Sequence, residues 1–227
     1  MLCLTLAACR VEGHPGISRA WPELGTMMSV AAWGADSGRV VRALEAAHDS
    51  VDHIDSLLQR HVAVPAIDSL RRAIRQRTGA ALVPADSLAF GYALDRAALA
   101  LANIADSALL DVGGQYYWLG GPTHRAVGIP DPDNTLRTLA VVDLQGGSLR
   151  TESQRNAPRG SARSVTVLAA GGLAANAWAA ALVSLRGGCD SVLVVAAELS
   201  VVCADSARVR WTNGLQNRVS LPAARGP

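Results

Sequence analysis

One face of a predicted helix carries residues with obvious chemical potential. Apolar residues recur at spacings of three and four over residues 40–58, which predicts a long amphipathic helix. Its polar face holds Glu45, His48, Asp49, Asp52, His53 and Asp55. Carboxylates and imidazoles can ligate a metal ion, but a solvent-exposed helix face ordinarily has the same composition. We therefore interpret the set as a solvated face rather than a metal site.

Three glycines lie where the backbone can approach a ligand closely. Gly91 falls within a predicted helix that opens at Asp86 or Ser87, and Gly113-Gly114 separates two predicted strands. Glycine tolerates close approach and positive φ, and the free amides at a helix start attract anions. These features suit an anionic ligand, although an ordinary tight turn is the simpler explanation of the glycine pair alone.

Other types of site have little support in the sequence. It contains no G-x-S-x-G elbow, no H-E-x-x-H pair and no P-loop. All 21 basic residues are arginine, which excludes chemistry that needs a lysine ammonium. The net charge of only +2 does not imply a nucleic-acid partner.

The N-terminus resembles a bacterial lipoprotein signal. Residues 1–8 are apolar and end in Leu6-Ala7-Ala8 directly before Cys9, which would be the lipidated residue. The basic residues that usually open such a signal are missing, and an apolar terminus with an incidental cysteine is the alternative. The segment is too short to span a bilayer. The signal predicts a lipid-anchored protein of the bacterial cell envelope, on its periplasmic or outer face.

The chain is expected to form one domain behind a short leader. Residues 1–22 are interpreted as a signal remnant and tether, since residues 10–22 are rich in Gly, Pro and Arg. Residues 23–227 form the domain: half of the chain is hydrophobic and 18% is charged, enough apolar material for a core. Cys189 and Cys203 either pair in an oxidising compartment or remain two buried thiols.

Helices and strands alternate in blocks, which favours an α+β fold. Beyond the long helix, helices are predicted over residues 67–77, from Asp86 or Ser87 to 101, and over 173–185. Strands are predicted over residues 28–33, 108–112, 116–119, 125–129, 136–144, 148–151, 164–169, 192–196, 199–203 and 207–212.

Six short segments in a fixed order carry a family resemblance. They are Leu24-Gly25-Thr26-Met27, Ile54-Asp55-Ser56-Leu57-Leu58-Gln59-Arg60, Ala89-Phe90-Gly91-Tyr92-Ala93-Leu94-Asp95-Arg96-Ala97, Asp111-Val112-Gly113-Gly114, Val127-Gly128-Ile129-Pro130-Asp131-Pro132, and Ser164-Val165-Thr166-Val167 with the helix that follows it. Together they resemble the ApbE family, the FAD:protein FMN transferases. The specificity lies in their order and spacing, since no single segment is distinctive.

The resemblance implies a T-fold-like α+β architecture in which antiparallel sheets pack with helices. It also implies a reaction: the FAD pyrophosphate is cleaved, FMN moves to a threonine or serine of an acceptor protein, and AMP leaves. FAD would be the substrate and Mg²⁺ the metal cofactor that neutralises the phosphates. The acceptor would belong to a membrane redox complex.

The resemblance also implies which residues form the site. The flavin nucleotide would lie against Thr26, Met27, Asp86, Phe90, Gly91, Tyr92, Gly113 and Gly114. The metal would lie at the backbone carbonyl of Ser87 and at positions 176 and 180. No residue is assigned a catalytic role.

Departures from the family pattern fall on this site. Asn176 and Ala180 stand where the family has Asp and Thr, Phe90 replaces a lysine, and Gln115 replaces an acidic residue. Mg²⁺ prefers hard, usually anionic oxygens, so this metal site should be weak. One flavin-binding segment has no counterpart between residues 62 and 84, and another is reduced to residues 154–160. The alternative function is therefore an inactive flavin-binding or scaffold lipoprotein that keeps the fold.

Overall fold

The computed structural model describes residues 16–120, 124–206 and 208–222. Its strands are β1 (Ile17–Glu23), β2 (Thr26–Trp33), β3 (Ser107–Val112), β4 (Gln115–Leu119), β5 (Arg125–Pro130), β6 (Thr138–Leu144), β7 (Gly147–Ser153), β8 (Ser164–Ala169), β9 (Ser200–Ala204), β10 (Val209–Trp211) and β11 (Val219–Ser220). Its helices are α1 (Ser37–Gln59), α2 (Pro65–Thr78), α3 (Ala89–Leu101), α4 (Gly172–Val183) and α5 (Gly188–Val195). Short 3₁₀ turns span Asp86–Leu88 and Asn213–Leu215.

The described strands form two antiparallel sheets. The larger has eight strands in the order β1-β2-β3-β4-β7-β8-β9-β10, and the smaller has three in the order β11-β6-β5. The helices lie in a layer of their own, apart from the strands. The predicted α+β class with antiparallel sheets is therefore confirmed.

The larger sheet separates a helical layer from the smaller sheet. Because side chains alternate along a strand, Met28, Val30 and Ala32 of β2 all face the helical side and pack with α1 and α3. On the opposite face, Trp118 and Leu149 pack against the core residues of β5 and β6. Both faces of the sheet are thus covered, and α3 and α4 lie together on the helical side.

Helix α1 follows its sequence pattern closely. Its apolar face is buried, whereas Glu45, Asp49, Asp52 and His53 are exposed on the other face. The N-cap is Asp36: its carboxylate accepts the backbone N–H of Arg39 at 2.9 Å. Within the described ranges, no three His, Cys, Asp or Glu side chains are grouped so that they could hold a metal ion.

Two sequence predictions of local structure are wrong. The tether predicted over residues 10–22 overlaps β1, which starts at Ile17 and pairs with β2 along its whole length. The strand predicted over residues 192–196 is instead the end of α5. A short valine-rich run suits a buried strand or a buried helix equally well. Cys9 and the rest of the lipoprotein signal lie outside the described residues, so the lipid anchor stays a prediction.

A disulfide joins α5 to the larger sheet. Cys189 of α5 is bonded to Cys203 of β9, so the pairing alternative is the one the structure adopts. Both cysteines are buried in the cluster where α4 and α5 pack on β8 and β9. None of the described helices is both long enough and apolar enough to cross a membrane.

Reduction of this disulfide should destabilise the fold. The two cysteines are 14 residues apart, and closing a loop of that length removes unfolded-chain entropy corresponding to about 3 kcal/mol. We expect guanidinium unfolding with a reductant to show a free energy of unfolding lower by about that amount. The variant Cys189→Ala/Cys203→Ala should have the same free energy of unfolding as the reduced protein, and the reductant should not change it. Equal midpoints with and without reductant for the wild type would show that the bond adds no stability.

Candidate functional site

Helices α3 and α4 touch through their backbones at two glycines. A Cβ placed on Gly91 would lie 2.4 Å from the carbonyl oxygen of Gly172, and a Cβ placed on Gly172 would lie 2.4 Å from the carbonyl oxygen of Gly91. Real Cβ atoms do not approach an oxygen so closely, so neither position has room for a side chain. The sequence predicts close approach of a ligand at Gly91, whereas the backbone that approaches this glycine in the structure is that of α4.

Asp95 of α3 fixes the start of α4. Its two carboxylate oxygens accept the backbone N–H groups of Gly172 and Leu173 at 2.5 and 3.0 Å. These N–H groups have no partner within their own helix, so Asp95 caps α4 from outside. Burial raises the pKa of the Asp95 carboxyl above its ordinary value, and the two hydrogen bonds oppose that rise.

Asn176 connects α4 to the start of α3. The side chain is fully buried, and its Nδ2 donates to the backbone carbonyl of Ser87 at 2.9 Å. Its Oδ1 is buried without a hydrogen-bond partner in the described part of the chain. Ala180 follows one helical turn later and offers only a methyl group. Two of the three predicted metal positions, 87 and 176, are therefore brought together, but the carbonyl oxygen of Ser87 already has a donor.

Gln115 provides a second buried amide at this junction. It is fully buried, and its Nε2 donates to the carbonyl of Gly172 at 2.7 Å and to the hydroxyl of Ser148 at 3.1 Å. An acidic side chain, which the family pattern has here, could not donate to either oxygen when ionised. The amide at this position therefore suits the closed contact between β4 and α4.

The Gly113-Gly114 turn lies beside this junction. Both residues have positive φ, +56° and +76°, so the predicted conformational role of the pair is confirmed. Asp111 stabilises the turn, since its carboxylate accepts the N–H of Gly114 at 3.0 Å. Burial raises the pKa of Asp111, while that hydrogen bond and the charge of Arg150 lower it. The ring of Phe90 covers the turn, 3.0 Å from where a Gly113 Cβ would lie.

Arg150 of β7 brings a cation to the turn. Its Nη1 donates to the carbonyl of Gly113 at 3.1 Å, and its Nε and Nη2 contact one oxygen of Glu152 at 2.8 and 2.7 Å. The guanidinium carbon lies 5.7 Å from the centre of the Phe90 ring. Arginine has five N–H donors, and these contacts with described residues use three of them. The other two donate to no described residue.

An open cleft of about 350 Å³ lies at this end of the larger sheet. Its lining includes Gly113, Gly114, Tyr116, Gly128, Leu149 and Arg150. Thr26 and Met27 lie at the same end, because the next residue, Met28, pairs with Val112 immediately before the glycine turn. Met27 is 55% exposed, so its side chain is free to contact a ligand.

The remaining predicted ligand contacts lie apart from the cleft. Asp86 is exposed on the 3₁₀ turn before α3, and Tyr92 packs as a half-buried core residue between two hydrophobic clusters. Sequence reasoning missed two residues of the site, Asp95 and Arg150. Asp95 falls inside a segment that carries the family resemblance, so a signal existed. Arg150 had none, because only the pairing of β4 with β7 places it beside the turn.

The residues at positions 87, 176 and 180 do not fit Mg²⁺. Mg²⁺ needs near-octahedral oxygen ligands, usually with carboxylates among them. Here the Ser87 carbonyl accepts a hydrogen bond from Asn176, and Ala180 has no ligand atom. The nearby carboxylate of Asp95 is bonded to two N–H groups of α4. This set of groups provides no negative charge, and its amide oxygen unpartnered within the described residues, Asn176 Oδ1, is too little to coordinate the ion.

The fold and the site together define a class of α+β protein. An eight-stranded antiparallel sheet carries α3 and α4 on one face and a three-stranded sheet on the other, with a glycine turn at the end of β3. The sequence model described as the ApbE family matches residues 24–156. The chain belongs to the ApbE family, as its sequence resemblance predicts.

Solved structures share this fold at low identity. The ApbE protein from Thermotoga maritima has a TM-score of 0.69 and 13% identity, over 90% of this chain and 99% of that chain. The flavin transferase ApbE from Vibrio cholerae has 0.65 and 16%, over 90% and 100%. The flavinyl transferase ApbE from Pseudomonas stutzeri has 0.70 and 12%, over 92% and 99%. A search of curated protein sequences gives no match.

The glycine contact predicts that Gly91→Ala destabilises the protein. The added methyl group would meet the Gly172 carbonyl at 2.4 Å and force α3 away from α4. We expect a loss of about 2 kcal/mol in the free energy of unfolding, the usual cost of overpacking less the helix-propensity gain of alanine.

A matched control is Gly38→Ala in the first turn of α1. That glycine is exposed, and its nearest neighbour is the Asp36 side chain at 3.3 Å. Its substitution should be neutral or slightly stabilising. Urea unfolding of both variants tests the contact, and equal stability of Gly91→Ala and wild type would contradict it.

Proposed function

We propose that this protein transfers FMN from FAD to a threonine or serine hydroxyl of an acceptor protein. The acceptor oxygen attacks the phosphorus on the FMN side of the pyrophosphate, and the bond from that phosphorus to the bridging oxygen breaks. AMP leaves with the bridging oxygen, and the hydroxyl proton passes to solvent. The observation that supports this proposal most strongly is membership of the ApbE family over residues 24–156.

The glycine turn is the feature of the cleft best suited to a nucleotide. Gly113 and Gly114 expose backbone without side chains at an open cleft, where a ligand can approach closely. Met27 and Tyr116 at the same end offer apolar surface for a flavin ring. Holding FAD against this turn would place the pyrophosphate near Arg150 and supply the positioning on which phosphoryl transfer depends.

Arg150 is the group that would neutralise the phosphates. The lysine of the family signature is replaced by Phe90, and the residues at positions 87, 176 and 180 do not fit Mg²⁺. The guanidinium of Arg150 approaches the same turn from β7 and retains two N–H donors. Arginine binds phosphate through such paired donors. In this proposal the positive charge has moved from α3 to β7.

A second candidate function is flavin binding without transfer. The observation that favours it is the hydrogen bond from Asn176 to the Ser87 carbonyl, which leaves the reaction without a cation where the family pattern has one. One arginine that is already paired with Glu152 provides less positive charge than a free divalent ion. Such a protein would hold FAD or FMN as a scaffold or carrier.

The location and the partner are part of the same proposal. Lipidation at Cys9 would hold the domain at the bacterial cell envelope, on the periplasmic or outer face. The acceptor would then be a protein of a membrane redox complex exposed on that side.

The two candidate functions differ in the release of AMP. We expect the protein to convert FAD to AMP plus flavin covalently bound to an acceptor, in equal amounts. The acceptor should be a protein that carries covalent FMN when isolated from cells and is produced without it for the assay. Chromatography measures AMP, and in-gel fluorescence measures the attached flavin. FAD binding without AMP under any divalent cation would support the second candidate instead.

Removal of Arg150 should weaken FAD binding selectively. We expect Arg150→Ala to lower the affinity for FAD roughly 10- to 100-fold, the range for a lost charged hydrogen bond. Affinity for riboflavin, which has no phosphate, should not change. Arg150→Lys should recover part of the loss.

The matched control is Arg19→Ala, which removes an exposed arginine of β1. Calorimetric titration with both ligands provides the measurement. An equal loss for FAD and riboflavin would mean that Arg150 acts on the fold of the cleft rather than on the phosphates.

A further inference from the structure

We propose that the side-chain amide of Asn176 takes the place of a divalent cation and holds α4 to the 3₁₀ turn before α3 without metal. A backbone carbonyl that is turned into a closed junction needs a positive partner. In this protein the partner of the Ser87 carbonyl is the N–H of Asn176 Nδ2 at 2.9 Å. The inference concerns the folded chain alone, so it does not depend on the proposed flavin chemistry.

The choice of residue at position 176 follows from this contact. An ionised aspartate in the same rotamer would place an anionic oxygen about where Nδ2 lies, against the lone pairs of the Ser87 carbonyl. The position is fully buried, so that negative charge would also be desolvated and unpaired. A cation between the two oxygens would relieve both problems. The amide removes them, because it brings a donor and no charge.

The neighbouring residues are consistent with a junction free of metal. Ala180, one turn further along α4, adds no oxygen, and Gln115 closes the contact from β4 by donating to Gly172. Asp95 is the carboxylate at the start of α4, and both of its oxygens accept backbone N–H groups.

The arrangement leaves the amide oxygen of Asn176 unpaired among the described residues. Asn176 Oδ1 is buried and lacks a hydrogen-bond partner in the described ranges. An unpartnered buried oxygen is unfavourable, so the amide is held in this orientation by its donor side. In a metal-binding orientation the oxygen would face Ser87 and the N–H groups would lack acceptors. The observed orientation is the one that uses Nδ2.

The decisive experiment is thermal unfolding with MgCl₂, with MnCl₂ and with EDTA, in the absence of flavin. We expect the wild-type Tm to be the same in all three. Asn176→Asp should melt at least about 5 °C lower in EDTA and recover part of that loss as Mg²⁺ or Mn²⁺ is added. Asn176→Asp/Ala180→Thr, which adds a second oxygen ligand, should recover at lower cation concentration.

Two controls separate the charge from the hydrogen bond. Asn217→Asp adds the same charge at an exposed position and should change neither Tm nor cation response. Asn176→Leu removes the donor without adding charge, so it should lower Tm with no recovery by cations. Calorimetric titration of Mg²⁺ and Mn²⁺ into the wild type gives an independent test, because it does not depend on the folding of any variant. We expect no saturable binding.

Three results would overturn the inference. The first is a cation-dependent rise in the wild-type Tm, and the second is saturable cation binding by the wild type. The third is the lack of any cation response in both aspartate variants. Each is distinct from a failure of the proposed transferase activity, because none of these measurements contains flavin or an acceptor.

Discussion

The direct backbone contact between Gly91 and Gly172 is the constraint on which the rest of the site depends. A Cβ placed on either glycine would lie 2.4 Å from the carbonyl oxygen of the other, so no side chain fits between α3 and α4 at this point. At that separation Asp95 reaches the first N–H groups of α4, and Asn176 reaches the carbonyl of Ser87. A wider spacing would break these contacts together, which makes the junction one cooperative unit.

Charge is distributed unevenly across the site as a consequence. The junction between the helices is closed by the neutral amides of Asn176 and Gln115 and by the Asp95 carboxylate, which accepts backbone N–H groups. The cation is instead on β7, where Arg150 contacts the Gly113 carbonyl beside an open cleft. The structural contact and the candidate ligand contact are therefore separate, although the family pattern combines them in one metal site. Stability and ligand binding should respond to different substitutions.

The accuracy of the sequence predictions follows the strength of the local signal. Helix α1 was predictable because its apolar period continues over residues 40–58, most of the 23-residue helix. Helix α5 was mistaken for a strand because eight residues are too few to establish a period; the structure packs it on β9, to which Cys189 is bonded through Cys203. Strand β1 was missed because few of its residues are buried, so its sequence shows no clear alternation of apolar and polar residues. Its hydrogen bonds are made with β2.

The sequence by itself determined the family, the α+β class and the glycines of the site. These follow from residue types at fixed spacing, and no partner is needed to recognise them. It also showed that positions 90, 115, 176 and 180 depart from the family pattern. Only the tertiary structure decided what the departures do: Asn176 donates to Ser87, Gln115 donates to Gly172, and Phe90 stacks with Arg150. Each of these contacts joins residues at least 57 positions apart in sequence, and such pairs are set by how helices and strands pack rather than by any local pattern.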